Sequence, residues 1–174
     1  TKTRCENMTE IGSLIDAGAV GFSDAYKEIK NTKVLKNAFT YATNFDAQII
    51  QVPISDLDQG GVMNESEMSM RLGLPGMISI AETIALEREL RIAKHAGAKY
   101  HSMCISTKES LNAIMHYKNL TDSITSGISI NNLILNENDI GAYRTFFKLR
   151  PPLRSEEDRF FLIDNLQSNN IDVI

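Results

Sequence analysis

The chain has 174 residues, with 18 basic against 22 acidic side chains and a formal net charge of −4; 43% of it is hydrophobic and 23% charged. That is globular composition for one domain with room for a core, and it excludes a disordered chain. An acidic balance argues against a nucleic-acid surface, which needs clustered Lys and Arg, and no stretch is long and apolar enough to span a bilayer.

Taken in chain order, Met8, Ile11, Leu14 and Ile15 share one helical face, and Gly18 stands where a C-terminal cap is expected. Residues 19–23 then read as a short buried strand. Helical spacing returns at Val34, Ala38, Tyr41, Ala42 and Phe45, and residues 47–52 read as a strand ended by Pro53. A long loop follows, with Gly60-Gly61 and Pro75-Gly76 turn signals, and leads into a helix over residues 79–96 closed by Gly97. Residues 99–105 are a strand, and Ser106 with Glu109 has the form of a capping box. Leu111, Ile114 and Met115 make the next helical stripe, residues 123–130 another strand, and Ser155 with Asp158 a further helix start. Residues 171–174 read as a strand at which the sequence stops. Strands alternating with helices, with no hairpin signal, predict a parallel α/β sheet or barrel. The sequence opens at Thr1 without an initiator Met, and the expectation is a section of a longer chain.

The chemistry-bearing residues are few. There is no GxGxxG, GxxxxGK[ST] or GxSxG run, which removes dinucleotide, P-loop and α/β-hydrolase readings. His95 and His116 fall in predicted helices and read as surface. His101 and Cys104 lie three apart on one strand, so their side chains point to opposite faces and do not share an ion. Cys104, at the strand's C-terminal end, is the better site candidate, with a buried small hydrophobe as the equal alternative. Asp24 directly follows the first strand and reads evenly as a site residue or a turn cap. Lys148, Arg150 and Arg154 around Pro151-Pro152 read first as solvated charges on a rigid turn and second as an anion grip. Cys5 and Cys104, far apart, read as reduced thiols of a cytoplasmic protein.

Five segments together resemble one family. They are GAVGFSD ending at Asp24, GGVMNESEMSMRLGLPG over residues 60–76, AETIALERELRIAKHAGAKYH behind it, ISTKES over residues 105–110, and FFKLRPPLRSEEDR over residues 146–159. In combination they resemble dihydroorotase, of the cyclic amidohydrolases, and the stretch NNLILNENDIGAYRTFFKL is similar to its alphaproteobacterial branch. The PPLR run disfavours the sibling enzymes allantoinase and dihydropyrimidinase.

The resemblance implies a metal-dependent (β/α)8 TIM barrel, of which residues 1–174 form a single domain covering only the central, partial barrel. It implies reversible closure of carbamoyl aspartate to dihydroorotate in pyrimidine synthesis, with zinc polarising the amide carbonyl. The family's HxH strand is expected before Thr1 and its catalytic aspartate beyond Ile174, so no catalytic residue is expected within the sequence. Asp24 falls on the aspartate metal ligand. The histidine ligand of the family's H-x-E-D run falls on Gln51, with Pro53 and Ile54 where acidic residues stand. Cys104 takes a further histidine position and is a candidate thiolate ligand. Asn131 and Asn132 replace paired histidines, and Arg150 replaces a substrate-contacting asparagine; these three are the candidate substrate-binding residues. The expected outcome is a dihydroorotase-like protein with a degenerate metal site. The alternative is a non-catalytic companion subunit scaffolding aspartate carbamoyltransferase. A homodimer is expected in either case.

Overall fold

The computed structural model describes residues 5–168 and 170–174. Helix α1 (Ile11–Asp16) buries Ile11, and Gly18 after it takes the left-handed φ of 97° that lets the chain turn into strand β1 (Gly21–Phe22). Helix α2 (Thr32–Thr43) starts where the Asn31 side chain accepts from the Lys33 and Val34 amides, and it buries Leu35, Phe39 and Ala42. Strand β2 (Gln48–Gln51) follows.

An insertion comes next, with strand β3 (Met63–Asn64), helix α3 (Glu67–Leu72) and strand β4 (Gly76–Met77). It stands in the stretch expected to be loop. Its turn is tight: a Cβ on Gly76 would sit 2.5 Å from the Glu65 Cα, so only glycine lets β4 lie against β3.

Helix α4 (Ser79–Ala96) ends on Gly97, at φ 67°. Strand β5 (Lys99–Ser102), helix α5 (Lys108–Lys118), strand β6 (Ile124–Ser126), helix α6 (Ile130–Ile134) and helix α7 (Glu156–Asp164) complete the order. Helix α7 begins as expected, with the Ser155 hydroxyl accepting from the Asp158 amide at 3.1 Å. Helix α5 does not begin on Ser106. Thr107 is its cap, and Ser106 is drawn away into a buried network.

The sheet runs β1-β2-β5-β6, every pair parallel. The fifth expected strand is reduced to a bridge between Gly127 and Val173. Register places Phe22, Ile49, Tyr100 and Ile124 in one cross-strand row. Ile49, Tyr100 and Ile124 in that row pack under Phe39, Leu86, Leu90, Leu111 and Ile114 in the main core. Each such buried side chain contributes about 1.5–3 kcal/mol of transfer free energy. The alternate row, Ile50, His101 and Thr125, lies on the other face and is only half-buried. This is a parallel α/β sheet with helices laid against one face, part of a barrel whose strand ends point one way. Among the described residues no helix is long and apolar enough to cross a membrane.

Candidate active-site face

In a parallel barrel the chemistry collects where strands end and loops begin. Strand β1 ends into Ser23 and Asp24. The Ser23 hydroxyl accepts from the Ala25 amide at 2.9 Å, and Ala25 takes a left-handed φ of 57°, a short turn that sets Asp24 at the mouth. Asp24 is half-buried in a cleft of about 100 Å³ that it shares with Cys5, Phe22 and Gln51. Burial raises the Cys5 thiol, and the hydrogen-bonded Asp24 carboxylate raises it further. Gln51 ends β2, is 3% exposed, and its backbone carbonyl accepts from the Met103 amide at 2.8 Å.

Cys104 follows β5 with a left-handed φ of 55°. It lines a second, smaller cavity of about 10 Å³ with Ile54, Asp58, Arg150 and Pro151. Burial pushes the Cys104 thiol up, and the nearby Glu82 carboxylate adds to it, so the neutral thiol is the favoured form. Asp58 is buried with one oxygen, Oδ1, unpartnered among the described residues. Desolvation raises its carboxyl, against the lowering effect of Arg154 and Arg150. Arg150 itself is exposed at the rim.

The face therefore brings the sequence candidates together in two pairs, Asp24 with Gln51 and Cys104 with Arg150, in separate cavities. Asn131 and Asn132 lie on α6. Asn131 is half-buried, and its amide N–H donates to the Ser129 hydroxyl at 3.3 Å. Asn132 is buried and donates its side-chain amide to the Pro152 carbonyl at 2.9 Å, so that group is spent on holding the PPLR segment. His101 faces Thr125, its Nδ1 2.8 Å from the hydroxyl, and burial lowers its pKa. His95 and His116 are exposed, as their helical positions implied.

The wall of the Cys104 cavity also holds a buried network that sequence reasoning missed. Arg154 is 3% exposed and donates to Ser106 Oγ at 2.9 Å, Asn64 Oδ1 at 2.9 Å, the Met77 carbonyl at 3.1 Å and Glu82 Oε2 at 3.3 Å. Glu82, 2% exposed, accepts in turn from the Ser106 and Thr107 amides at 2.8 and 3.2 Å and from the Ser106 hydroxyl. Arg154 is thus neither a solvated charge nor an anion grip. It ties β3, β4, α4 and the loop after β5 into one body. The available signal was Glu82 itself, a charge set among the core-facing Ala81, Ala85 and Leu86 of α4.

A metal centre is a stricter test. Among the described residues no group of three or more His, Cys, Asp and Glu side chains comes close enough to hold an ion. Asp24 and Cys104 lie in different cavities, Gln51 offers an amide, and the thiol is held in its protonated form. Transition metals favour imidazole, thiolate and carboxylate donors converging on one point. The side chains described do not fit that requirement.

The sequence pattern of the Dihydro-orotase-like family matches residues 1–110. A dihydroorotase from Anaplasma phagocytophilum is 36% identical over 169 residues, covering 96% of this chain and 38% of that protein. One from the Wolbachia of Brugia malayi is 32% identical over 171 residues, covering 97% and 39%. Among solved structures, L-hydantoinase (dihydropyrimidinase) from Arthrobacter aurescens superposes with a TM-score of 0.79 at 21% identity, over 94% of this chain and 39% of that one. Dihydroorotase from Campylobacter jejuni gives 0.63 at 14% identity, over 88% and 41%. At such identities the structural likenesses speak for the fold alone. The chain spans about two fifths of the length of the curated relatives it matches.

Proposed function

The chain belongs to the dihydro-orotase-like family, and from that footing we propose that it is the central section of a cytoplasmic barrel serving pyrimidine synthesis. Its ligands in this reading are carbamoyl aspartate and dihydroorotate, and its metal centre is degenerate. The observation that carries the degenerate centre is that Asp24 and Cys104 line separate cavities, with Gln51 beside Asp24 in place of a further ionisable donor. The family is one of metal-dependent amidohydrolases, and since these side chains do not fit a metal, no step is routed through one. What the face offers instead is polar binding. Arg150, exposed and without an ion pair among the described residues, suits a substrate carboxylate. Asn131, half-buried on α6, offers an amide to a ureido group.

The test is dihydroorotate hydrolysis and bound zinc in the natural gene product, beside an established dihydroorotase. Expected are zinc well below one equivalent, turnover far below the control, and carbamoyl aspartate binding that weakens in Arg150→Ala. Stoichiometric zinc with turnover lost in Asp24→Ala would overturn the degenerate centre and leave the family reading intact. Absence of carbamoyl aspartate binding by the folded protein would remove the substrate reading.

A second reading, a non-catalytic companion of aspartate carbamoyltransferase, is favoured by an apolar surface. Ile130, Ile134 and Phe160 are 53%, 63% and 53% exposed on α6 and α7, two helices packed on each other. A homodimer contact would use the same surface. Co-purification with the transferase, lost in Ile134→Glu, separates this reading from a homodimer, whose mass that substitution would halve.

A further inference from the structure

The β3–α3–β4 insertion and the long connection between α6 and α7 meet in a satellite core of Met63, Ile140 and Leu153. Between them opens a cleft of about 220 Å³ lined by Val62, Met63, Leu74, Ile140 and Phe147. Its wall is almost wholly hydrocarbon, a surface that water solvates poorly. The loop that closes it is held in shape. Tyr143 takes a left-handed φ of 57°, and its hydroxyl donates to the Leu72 carbonyl at 2.7 Å, tying the loop across to α3.

Two cations stand at the mouth, Arg144 and Lys148. Among the described residues the Lys148 ammonium has no hydrogen bond or ion pair, and the Arg144 guanidinium reaches only the Asp139 carbonyl, at a long 3.5 Å. Two exposed positive charges without an ion pair among the described residues thus flank an almost wholly apolar hollow. They complement a ligand that is apolar at one end and anionic at the other. The cleft shares no lining residue with the Asp24 or Cys104 cavities.

We propose that this cleft binds a small amphipathic anion, a short acyl chain or single aromatic ring carrying one carboxylate. The apolar body lies against Met63, Leu74, Ile140 and Phe147, and the carboxylate meets Arg144 and Lys148. A neutral body of the same shape fills the hollow but leaves the cations unpaired.

The experiment titrates octanoate, with 1-octanol as the neutral counterpart, into the natural gene product by calorimetry. Expected is one saturable octanoate site per chain. Replacing both cations, Arg144→Ala with Lys148→Ala, weakens octanoate about tenfold or more and leaves 1-octanol unchanged. Leu74→Trp, which fills the hollow, removes both ligands. Octanoate and 1-octanol binding alike in the parent protein would overturn the anion. Binding that survives Leu74→Trp would overturn the location. No saturable binding by the folded protein would overturn the proposal entirely, the cleft then being filled by other parts of the molecule. Both cations are exposed, so the charge variants keep the test open if the tryptophan variant does not fold.

Discussion

Arg154 donates to Ser106, Asn64, the Met77 carbonyl and Glu82 from a site where only the chain itself compensates its charge. Removing one member of such a pair strands the other, and the cost is set by the orphan rather than by the bond lost. Arg154→Ala is therefore expected to destabilise the protein by about 3–5 kcal/mol, read as a shifted urea midpoint. Pairing Arg154→Met with Glu82→Leu should cost much less than Arg154→Ala, because Glu82 is then not left buried and charged without its partner. Equal losses in the two variants would mean the network acts through packing alone. In the sequence Arg154 looked like its neighbours Lys148 and Arg150, three cations around two prolines. Burial separates them, and burial depends on Asn64 and Glu82, residues 90 and 72 positions away.

Helix α4 and strand β5 are joined by a different contact, one that responds to pH. The Tyr100 hydroxyl donates to Glu89 Oε2 at 2.6 Å, both residues being buried, while Arg88 stands 3.7 Å from the other Glu89 oxygen and 3.1 Å from Glu28. Burial raises the Glu89 carboxyl to about 7, against the lowering effects of Tyr100 and Arg88. The folded protein thus holds a proton that the unfolded chain has already released. Stability falls as pH rises from the unfolded carboxyl's value through about 7 and levels off above it, a loss on the order of 3 kcal/mol at full extent. Glu89→Gln keeps an acceptor for Tyr100 and removes the titration. Its stability relative to the parent should climb between about pH 5 and about pH 8; a flat difference would mean that Glu89 is ionised throughout. Elements as long as α4 were legible because their apolar period runs for several turns and Gly97 ends it at a left-handed φ. Strands β3 and β4 have two residues each, too few for any period to show. The Ser106 cap was misplaced for another reason: its hydroxyl serves Glu82, a partner 24 positions distant.

At the scale of the whole sheet, the two faces differ. One is sealed by helices, with Tyr100, Leu35 and Phe39 fully buried. The other carries Gln48, Ile50, His101 and Thr125, all half-buried, although it is the face a closed barrel would fill with side chains. Its polar members satisfy each other, Gln48 reaching Thr125 at 3.4 Å and His101 meeting the same hydroxyl. Burial lowers the His101 pKa, so at neutral pH this face carries no histidine charge to repel a second surface. Among the described residues strand β1 pairs only with β2, and Val20 beside it is 92% exposed, so that edge presents backbone groups unpaired among them next to an apolar side chain. Natural edges are usually blunted by charge or covered, and among the described residues no strand pairs with the outer side of this one. The 174-residue chain on its own is therefore expected to associate as its concentration rises, read by light scattering behind size exclusion. Val20→Lys should suppress that association by placing a charge at the edge, and Ile50→Lys should do so only if the inner face is part of the contact. A monomer at every concentration would mean that the half-buried face is stable in water as it stands, and that closing the barrel adds little to the section already folded.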